Sequence, residues 1–350
     1  MRRFVAVDAG KSDTKIGTYD GKKTNIYGFV TKIGEGYFED DALERNTFIA
    51  EINGIVYKIG QGADTEAELE TSKQTEIHKM CVLSAIAMCC SDDEEDEVSV
   101  AIGVPISTYY SVPMRNEYRE YMLAEEAYEI KLKMRSDGPI KTKRFKVVNK
   151  LVYPEGSGGL FVDGAIEYAD NTVGVLDLGW LNNNLSVYRS GEPDKPMTKT
   201  NELGGSRLVR GLAAELSSHY TRIDARSVTE ILALPSEFRC LDSEDEAIRE
   251  SSNRFIHDYI LRYVKEIKRD MDEKGWPLDY MKLIAIGGSS LMIESELKEV
   301  FGERIFIPNK AQFANVVGFL RMLYAKVTDS DEIIPMPESM KIITTEEEVA

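Results

Sequence analysis

The sequence predicts an α/β protein built from two similar domains, and three stretches carry that prediction. In Val173-Gly-Val-Leu-Asp-Leu-Gly179 an apolar strand runs into an acid and a glycine, a polar turn of asparagines follows, and Leu185-Ser-Val-Tyr188 alternates as a returning strand. The same grammar stands near the N-terminus: Arg3-Phe-Val-Ala-Val-Asp8, a polar turn opened by Gly10, and a return strand Lys15-Ile-Gly-Thr-Tyr19. The third stretch, Leu283-Ile-Ala-Ile-Gly-Gly-Ser289, is an apolar strand ending in a glycine turn and a helix start. One hairpin with a turn acid says little, since many half-buried strand pairs look like it. Repetition changes that. Backbone amides in such a turn can approach phosphate oxygens, and the strand-end carboxylate can hold a hydrated divalent cation beside them. Two hairpins of one design, far apart in sequence, therefore suggest two similar domains that close on one nucleotide from either side. The glycines of the third stretch permit the close approach that an adenosine or ribose needs.

Taken in order, Ile26-Tyr-Gly-Phe-Val30 and Phe48-Ile-Ala-Glu-Ile52 read as strands, and Asn53-Gly54 is a strong hairpin turn into Ile55-Val-Tyr-Lys-Ile59. Residues 64–74 are polar and acidic without apolar periodicity. A helix begins at Thr75 and carries Ile77, Cys81, Leu83 and Ile86, and the acidic run 91–97 after it reads as a solvated loop. Residues 98–105 form a buried strand ending in a Pro turn, followed by a helix over 113–122, with Pro113 in its first turn. Two strands separated by Asp137-Gly138 lead to Tyr153-Pro-Glu-Gly156, which opens a helix through Phe161 and Ile166 and leaves Glu155 at its start. After the second hairpin, helices are expected following Gly204-Gly-Ser206, with Leu208, Val209, Leu212, Ala213 and Leu216 on one face, from Asp224 to Leu234, and from Asp242 to about Lys274, the last with Ile256, Ile260, Tyr263 and Ile267 on one face. A helix over 289–300, a short strand at 304–307 and a helix over 311–327 close the chain before an acidic tail.

Composition bounds the function. The 350 residues are enough for two domains with real cores. Lys and Arg number 43 against 60 Asp and Glu, a net charge of −17, which argues against the chain wrapping nucleic acid by itself, because phosphate contacts need a basic surface. No apolar run reaches membrane-spanning length and no signal peptide is visible, so no membrane partner and a cytoplasmic location are expected. Four cysteines show no metal-ligand spacing, and His78, His219 and His257 stand alone without a nucleophile motif, so all are read as structural.

The three segments resemble the phosphate-1, phosphate-2 and adenosine motifs of the actin, DnaK-type chaperone and sugar kinase superfamily. Within it the similarity is to bacterial actin-like segregation proteins of the ParM type. Four further stretches point there: Ile102-Gly-Val-Pro-Ile-Ser-Thr-Tyr-Tyr110, Val152-Tyr-Pro-Glu-Gly156, Asn201-Glu-Leu-Gly-Gly-Ser206 and Phe313-Ala-Asn-Val-Val-Gly-Phe319. The resemblance implies an actin-like (ribonuclease H-like) α/β fold with a nucleotide cleft between duplicated domains. Domain I would span 1–170 with a returning helix 311–328, domain II 171–310, and an acidic tail 329–350.

The resemblance also implies ATP or GTP with Mg²⁺. Asp8 and Asp177 would take the hydrated Mg²⁺, and Lys15 would meet the phosphates as a point charge. The backbones of Gly10, Lys11, Ser12 and Asp13, and of Gly179 through Asn182, would cradle those phosphates. The Lys11 side chain is either a second phosphate ligand or solvent-facing. Glu155 matches the family's Pro-Glu-Gly position and would orient or deprotonate the attacking water, although read alone it is a helix-start acid. Gly287, Gly288 and Ser289 would meet the adenosine. Arg207 and Arg210 are either on the base and ribose side or ordinary helix surface. One departure matters: where the family has a second glycine after Asp-x-Gly, this chain has Trp180, with Leu-Asn-Asn-Asn in place of hydroxyl residues. That puts bulk where the backbone would approach phosphate, and slow hydrolysis is expected.

The expected role is a filament protein that assembles head to tail with itself, hydrolyses nucleotide as an ATPase, and moves plasmid or chromosomal DNA through a ParR-like DNA-binding adaptor, without touching nucleic acid directly. The rivals are a small-molecule (sugar-type) kinase, for which no sugar-recognition motif is visible, and a filament protein that binds nucleotide with little turnover.

Overall fold

A computed structural model describes residues 1–350 apart from 41, 67–72, 169, 331, 336–340 and 343–350 and the side chains of 341 and 342. Most of the acidic tail, and part of the polar stretch over 64–74, lie outside the described residues. The chain divides into two compact units, Met1–Phe161 with Asn315–Ala350, and Val162–Ala314.

In the first unit β1 (Arg2–Ala9), β2 (Asp13–Tyr19) and β3 (Thr24–Val30) form an antiparallel meander, with Asp8 opposite Lys15. The short strands β4 (Lys32–Glu35), β5 (Thr47–Ile52), β6 (Ile55–Gly60) and β7 (Thr65–Glu66) follow. Asn53 and Gly54 both take positive φ, as a tight two-residue hairpin requires. α1 (Glu76–Met88) then provides the crossover that lets β8 (Glu95–Val104) pair in parallel with β1. After α2 (Ile106–Tyr109) and α3 (Val112–Met122), β9 (Ala127–Lys133) and β10 (Lys141–Pro154) complete a sheet ordered β3-β2-β1-β8-β10-β9-β5-β6-β4-β7. Alternation along β1 divides its burial: Val5, Val7 and Ala9 join the core that holds α1, whereas Phe4 meets the ring of Tyr324 in the C-terminal helix. α1 is apolar nearly all round because it is covered nearly all round. Its Cys81 thiol and the following Cys89 are pushed up to about 12 by burial, so these thiols stay protonated and inert at neutral pH.

The acidic run was expected to be solvated, and one member is not. β8 starts at Glu95, so the strand period turns Asp96 inward between exposed Glu95 and Glu97. Its carboxylate accepts from Arg3 Nε at 2.8 Å and from the Ser91 N–H at 2.6 Å, and it lies 3.0 Å from the Met1 amino group. Those charged and backbone donors offset the desolvation of a buried charge.

The second unit repeats the plan. β11 (Thr172–Leu178) and β12 (Asn183–Arg189) are an antiparallel hairpin, flanked at β12 by β13 (Glu192–Pro193) and β14 (Lys199–Asn201). α4 (Gly205–His219), α5 (Ala225–Leu232) and α6 (Glu246–Glu273) lead back to β15 (Lys282–Ile286), which pairs in parallel with β11 just as β8 does with β1. Asp224 caps α5 by accepting from Ser227 N, and Asp245 caps α6 through Ala247 N. α7 (Gly288–Met292), α8 (Glu294–Phe301) and β16 (Ile305–Phe306) follow. From Asn315 the chain belongs to the first unit again: α9 (Ala314–Thr328) lays Val316 and Leu320 against Gly17, and β17 (Lys341–Ile342) pairs with β3.

Three expected elements differ. The helix after Glu155 is only a 3-10 turn at Ser157–Phe161 and another at Ile166–Tyr168. Gly158 is pressed against α9, where a Cβ would lie 2.5 Å from Asn315 Cα, so the chain runs flat under that helix instead of coiling. The helix expected over 289–300 is broken into α7 and α8 at Ile293, which leaves helical geometry and buries completely in the second core. The asparagine turn is shorter than expected, because β12 begins at Asn183. Asn183 Nδ2 donates to the Leu203 carbonyl, and Asn184 Oδ1 accepts from Thr200 Oγ1 at 2.8 Å.

Candidate functional site

Each unit carries one half-site at the end of its first strand, and the two are built alike. In the first unit, the Gly10 N–H donates to Asp8 O at 3.1 Å and Asp13 O at 2.9 Å, and a Cβ at Gly10 would meet Asp13 O at 2.8 Å. In the second, the Gly179 N–H donates to Asn182 O at 3.2 Å, and a Cβ there would meet Asn182 O at 2.7 Å. Both glycines therefore close a turn too tight for a side chain, and their N–H groups serve the turn itself. The acid before each turn is buried, Asp8 at 7% and Asp177 at 8% exposure. Each carboxylate also faces a glycine at the end of the neighbouring parallel strand, Gly103 within β8 and Gly287 just after β15. A Cβ on Gly103 would come within 3.4 Å of Asp8 Oδ1, and one on Gly287 within 3.1 Å of Asp177 Oδ1.

In the first half-site β10 delivers Glu155, whose N–H donates to Val104 O at 2.9 Å. The chain then turns at Gly156 with φ +90°, and the Gly156 N–H donates to Asn315 Oδ1 at 3.0 Å. Lys73, 8% exposed, reaches in from the segment before α1. Its Nζ lies 2.5 Å from Glu155 Oε1 and 3.9 Å from Asp8 Oδ1. Behind them the Tyr118 hydroxyl donates to Gly103 O at 3.1 Å, and burial, with Glu155 and Asp8 adding to it, pushes that phenol well above its ordinary value. His78 shares a 2.7 Å hydrogen bond with Thr75 Oγ1. Burial, then the charges of Lys73 and Lys11, lower its imidazole to about 3, so it is neutral at physiological pH. Lys11 and Lys15 are half-buried, and Ser12 O accepts from Thr31 N at 2.8 Å.

In the second half-site the turn is tied down by the two glycine segments around it. Gly179 O accepts from Gly205 N at 3.0 Å and from Ser289 Oγ at 2.9 Å, and Trp180 O accepts from Ser206 N at 2.7 Å. Gly204 and Gly205 are required by this packing: a Cβ on Gly204 would sit 2.3 Å from Leu181 C, and one on Gly205 2.3 Å from Ser289 Oγ and 3.3 Å from Trp180 Cε3. The Trp180 ring thus leans on Gly205 and remains 38% exposed. Gly287 takes φ +88° and donates its N–H to Ala311 O at 2.9 Å, while Gly288 has open space around it, with Gln312 Cβ 4.0 Å from a Cβ placed there.

Within the first unit the structure brings Asp8, Gly10 and Glu155 together, and within the second Asp177, Gly179, Gly287 and Ser289. Ser289 faces the turn rather than open space. Arg207 and Arg210 are exposed on α4, and Arg207 Nη2 pairs with Glu266 of α6 at 3.2 Å. Sequence reasoning missed Lys73 and Tyr118, and did not single out Gly103 or Asn315 within the stretches that hold them, while His78 was named and read as structural. Lys73 sits in a polar stretch without periodicity, and no local pattern marks it. Asn315 lies inside a quoted motif, Phe313-Ala-Asn-Val-Val-Gly-Phe319, and could have been singled out as its polar member. Among the described residues no group of three or more His, Cys, Asp or Glu could hold a metal ion directly, and no helix is long and apolar enough to cross a membrane.

Comparison with known proteins follows the same lines. A family described as the N-terminal domain of actin-like proteins matches residues 6–158. A search of curated proteins gave no match. Among solved structures, the Alp12 filament is 23% identical, with a TM-score of 0.71 over 93% of this chain and 99% of that one. A 15-stranded ParM filament from Clostridium botulinum is 14% identical, TM-score 0.67, over 92% and 99%. Bacillus thuringiensis ParM with ATP is 16% identical, TM-score 0.66, over 93% and 99%. Residues 6–158 thus match the N-terminal domain of actin-like proteins, and with its duplicated hairpin units the chain has the actin-like α/β fold along nearly its whole length.

Proposed function

We propose that this protein is a nucleotide-dependent, filament-forming ATPase (or GTPase) that assembles with further copies of itself and moves plasmid or other DNA through a basic, ParR-like adaptor in the cytoplasm. The observation that carries the nucleotide reading is the pair of half-sites, each a buried carboxylate beside a turn closed by a glycine with no room for a side chain. Asp8 and Asp177, each a buried carboxylate beside its turn, would take a hydrated Mg²⁺ through water. Bound there, the ion would neutralise phosphate charge. Lys15, with Lys11 beside it, meets the phosphates, as do the turn amides beyond Gly10 and Gly179, through Ser12, Asp13 and Asn182. Gly287, Gly288 and Ser289 shape the adenosine side, and Arg207 and Arg210 approach the base or ribose. In hydrolysis, water bonds to the terminal phosphorus as the bond to the bridging oxygen breaks, and Glu155 accepts the water's proton. The solved ParM with ATP and the filament structures named above support the reading by analogy of fold. The acidic net charge supports an adaptor over direct DNA contact.

A second reading has its own observation: a filament protein that turns nucleotide over slowly. The Trp180 ring stands out from the second turn and leans on Gly205, and Lys73 engages the carboxylate proposed to serve the water.

The experiment is 90-degree light scattering of the pure protein with ATP or GTP and Mg²⁺, with negative-stain imaging and phosphate release on the same samples. Filaments and scattering that need nucleotide are expected, with phosphate release lagging behind assembly. No assembly across salt and nucleotide conditions would overturn the filament reading. Rapid phosphate release without a lag would overturn slow turnover, and sugar-dependent diphosphate production would point to the kinase.

A further inference from the structure

Asp8 and Glu155 are both buried, and the Lys73 ammonium stands between them, 3.9 Å from one carboxylate and 2.5 Å from the other. Of the other ionisable neighbours, His78 is a neutral imidazole and Tyr118 a neutral phenol, while Lys11 adds a positive charge that is felt at His78. The ammonium has three donors on a flexible four-carbon stem. Both carboxylates lie within reach of that one head, so it can pass between acceptors by rotation about its own stem. Engaged with Glu155 Oε1, it covers an oxygen that a water-activating carboxylate needs. A phosphate arriving beside Asp8 offers the same ammonium a more highly charged partner.

We propose that Lys73 reads the terminal phosphate: without nucleotide it holds Glu155 in place, and when a nucleoside triphosphate binds it shifts toward the γ-phosphate and leaves Glu155 to orient the water. The proposal rests on the nucleotide reading above and adds a positioning residue to it. A diphosphate lacks the group that draws the ammonium away, so Lys73 discriminates the two nucleotide states from inside the first unit.

The test is equilibrium binding of Mg·ATP and Mg·ADP (or the guanine pair, whichever the wild type binds) to the full chain, in wild type, Lys73→Met, Glu155→Gln and the double variant. Lys73→Met alone strands a buried carboxylate, so the double variant, which removes both charges, carries the result, with thermal melting to confirm folding. The triphosphate-over-diphosphate preference should fall roughly tenfold to a hundredfold in both Lys73 variants, the worth of one hydrogen bond to a charged group. It should persist in Glu155→Gln, and diphosphate affinity should stay within about twofold throughout. Equal losses for both nucleotides would mean that Lys73 is merely structural. An unchanged preference in the double variant would overturn the proposal outright. A wild type that binds both nucleotides without preference sinks this inference alone, whereas one that binds neither sinks the nucleotide reading and this inference with it.

Discussion

Gly287→Ala is the sharpest test of how the second half-site is built. Gly287 adopts φ +88° and ψ 160°, a conformation that L side chains rarely adopt. A methyl group there would stand 2.4 Å from Leu178 O, 2.8 Å from Leu178 C and 3.1 Å from Asp177 Oδ1. The first two are backbone atoms of β11 and cannot swing aside as a side chain would. Rotating the residue away would break its 2.9 Å N–H donation to Ala311 O. Backbone strain of about 1–3 kcal/mol and an overpacking term of about 1–3 kcal/mol together predict a loss of roughly 2–6 kcal/mol, a large part of the about 5–15 kcal/mol that holds a typical domain. Gly275→Ala is the control, since Gly275 has φ +70° with nothing near its Cβ position, so it should lose only about 1–2 kcal/mol. Urea denaturation followed through Trp276, which is 5% exposed in the core of that unit, reports the transition. If Gly287→Ala loses no more than Gly275→Ala, the close approach of this turn to β11 is not real, and the packing of Asp177 beside it must be reconsidered.

Further predictions concern pH and the turn. His78 takes its proton near pH 3 in the folded state against 6.5 ordinarily, so stability is intact above 6.5 and falls as pH drops from 6.5 toward 3, by up to roughly 4–5 kcal/mol. His78→Gln should flatten that limb in urea titrations at stepped pH, and an unaltered limb would refute the assignment. Asp96 is depressed below its ordinary 3.8: burial works against ionisation, but the Ser91 N–H, the Met1 amine and Arg3 outweigh it. Its contribution is present above 3.8 and lost as pH falls through the lower folded value, so Asp96→Asn should destabilise at neutral pH by about 3–5 kcal/mol and lose less on acidification. Equal acid sensitivity in variant and wild type would count against it. Trp180→Gly, which opens the second turn, should speed phosphate release by roughly tenfold if the indole keeps an amide from a charged oxygen. A release rate unchanged from wild type would clear the ring of that role.

What the sequence by itself determined is the part written in local pattern. The hairpins ending at Asp8 and Asp177 were legible because strand alternation, a terminal acid and a glycine bend are contiguous in the chain. α1 was legible too, because it showed its apolar residues openly, whereas the parallel pairing of β8 with β1 was not. Glu155 was found by resemblance, but its surroundings were misread: a glycine-rich run after a proline looked like a helix start, and only the approach of α9 to Gly158 flattened it. The acidic run hid Asp96 because composition does not show which way a strand will turn its second residue, and the pairing of β8 beside β1 decided that. The Gly204–Gly205 pair was read as part of a motif, whereas packing of the Trp180 turn against α4 is what forbids side chains there. Lys73 was invisible. Its neighbours Asp8 and Glu155 are 65 residues before it and 82 after it in the chain, and no local periodicity records a meeting of that kind. An ion pair between distant segments exists only once β1, β10 and the start of α1 have been brought to one place, and that is a property of the tertiary structure alone.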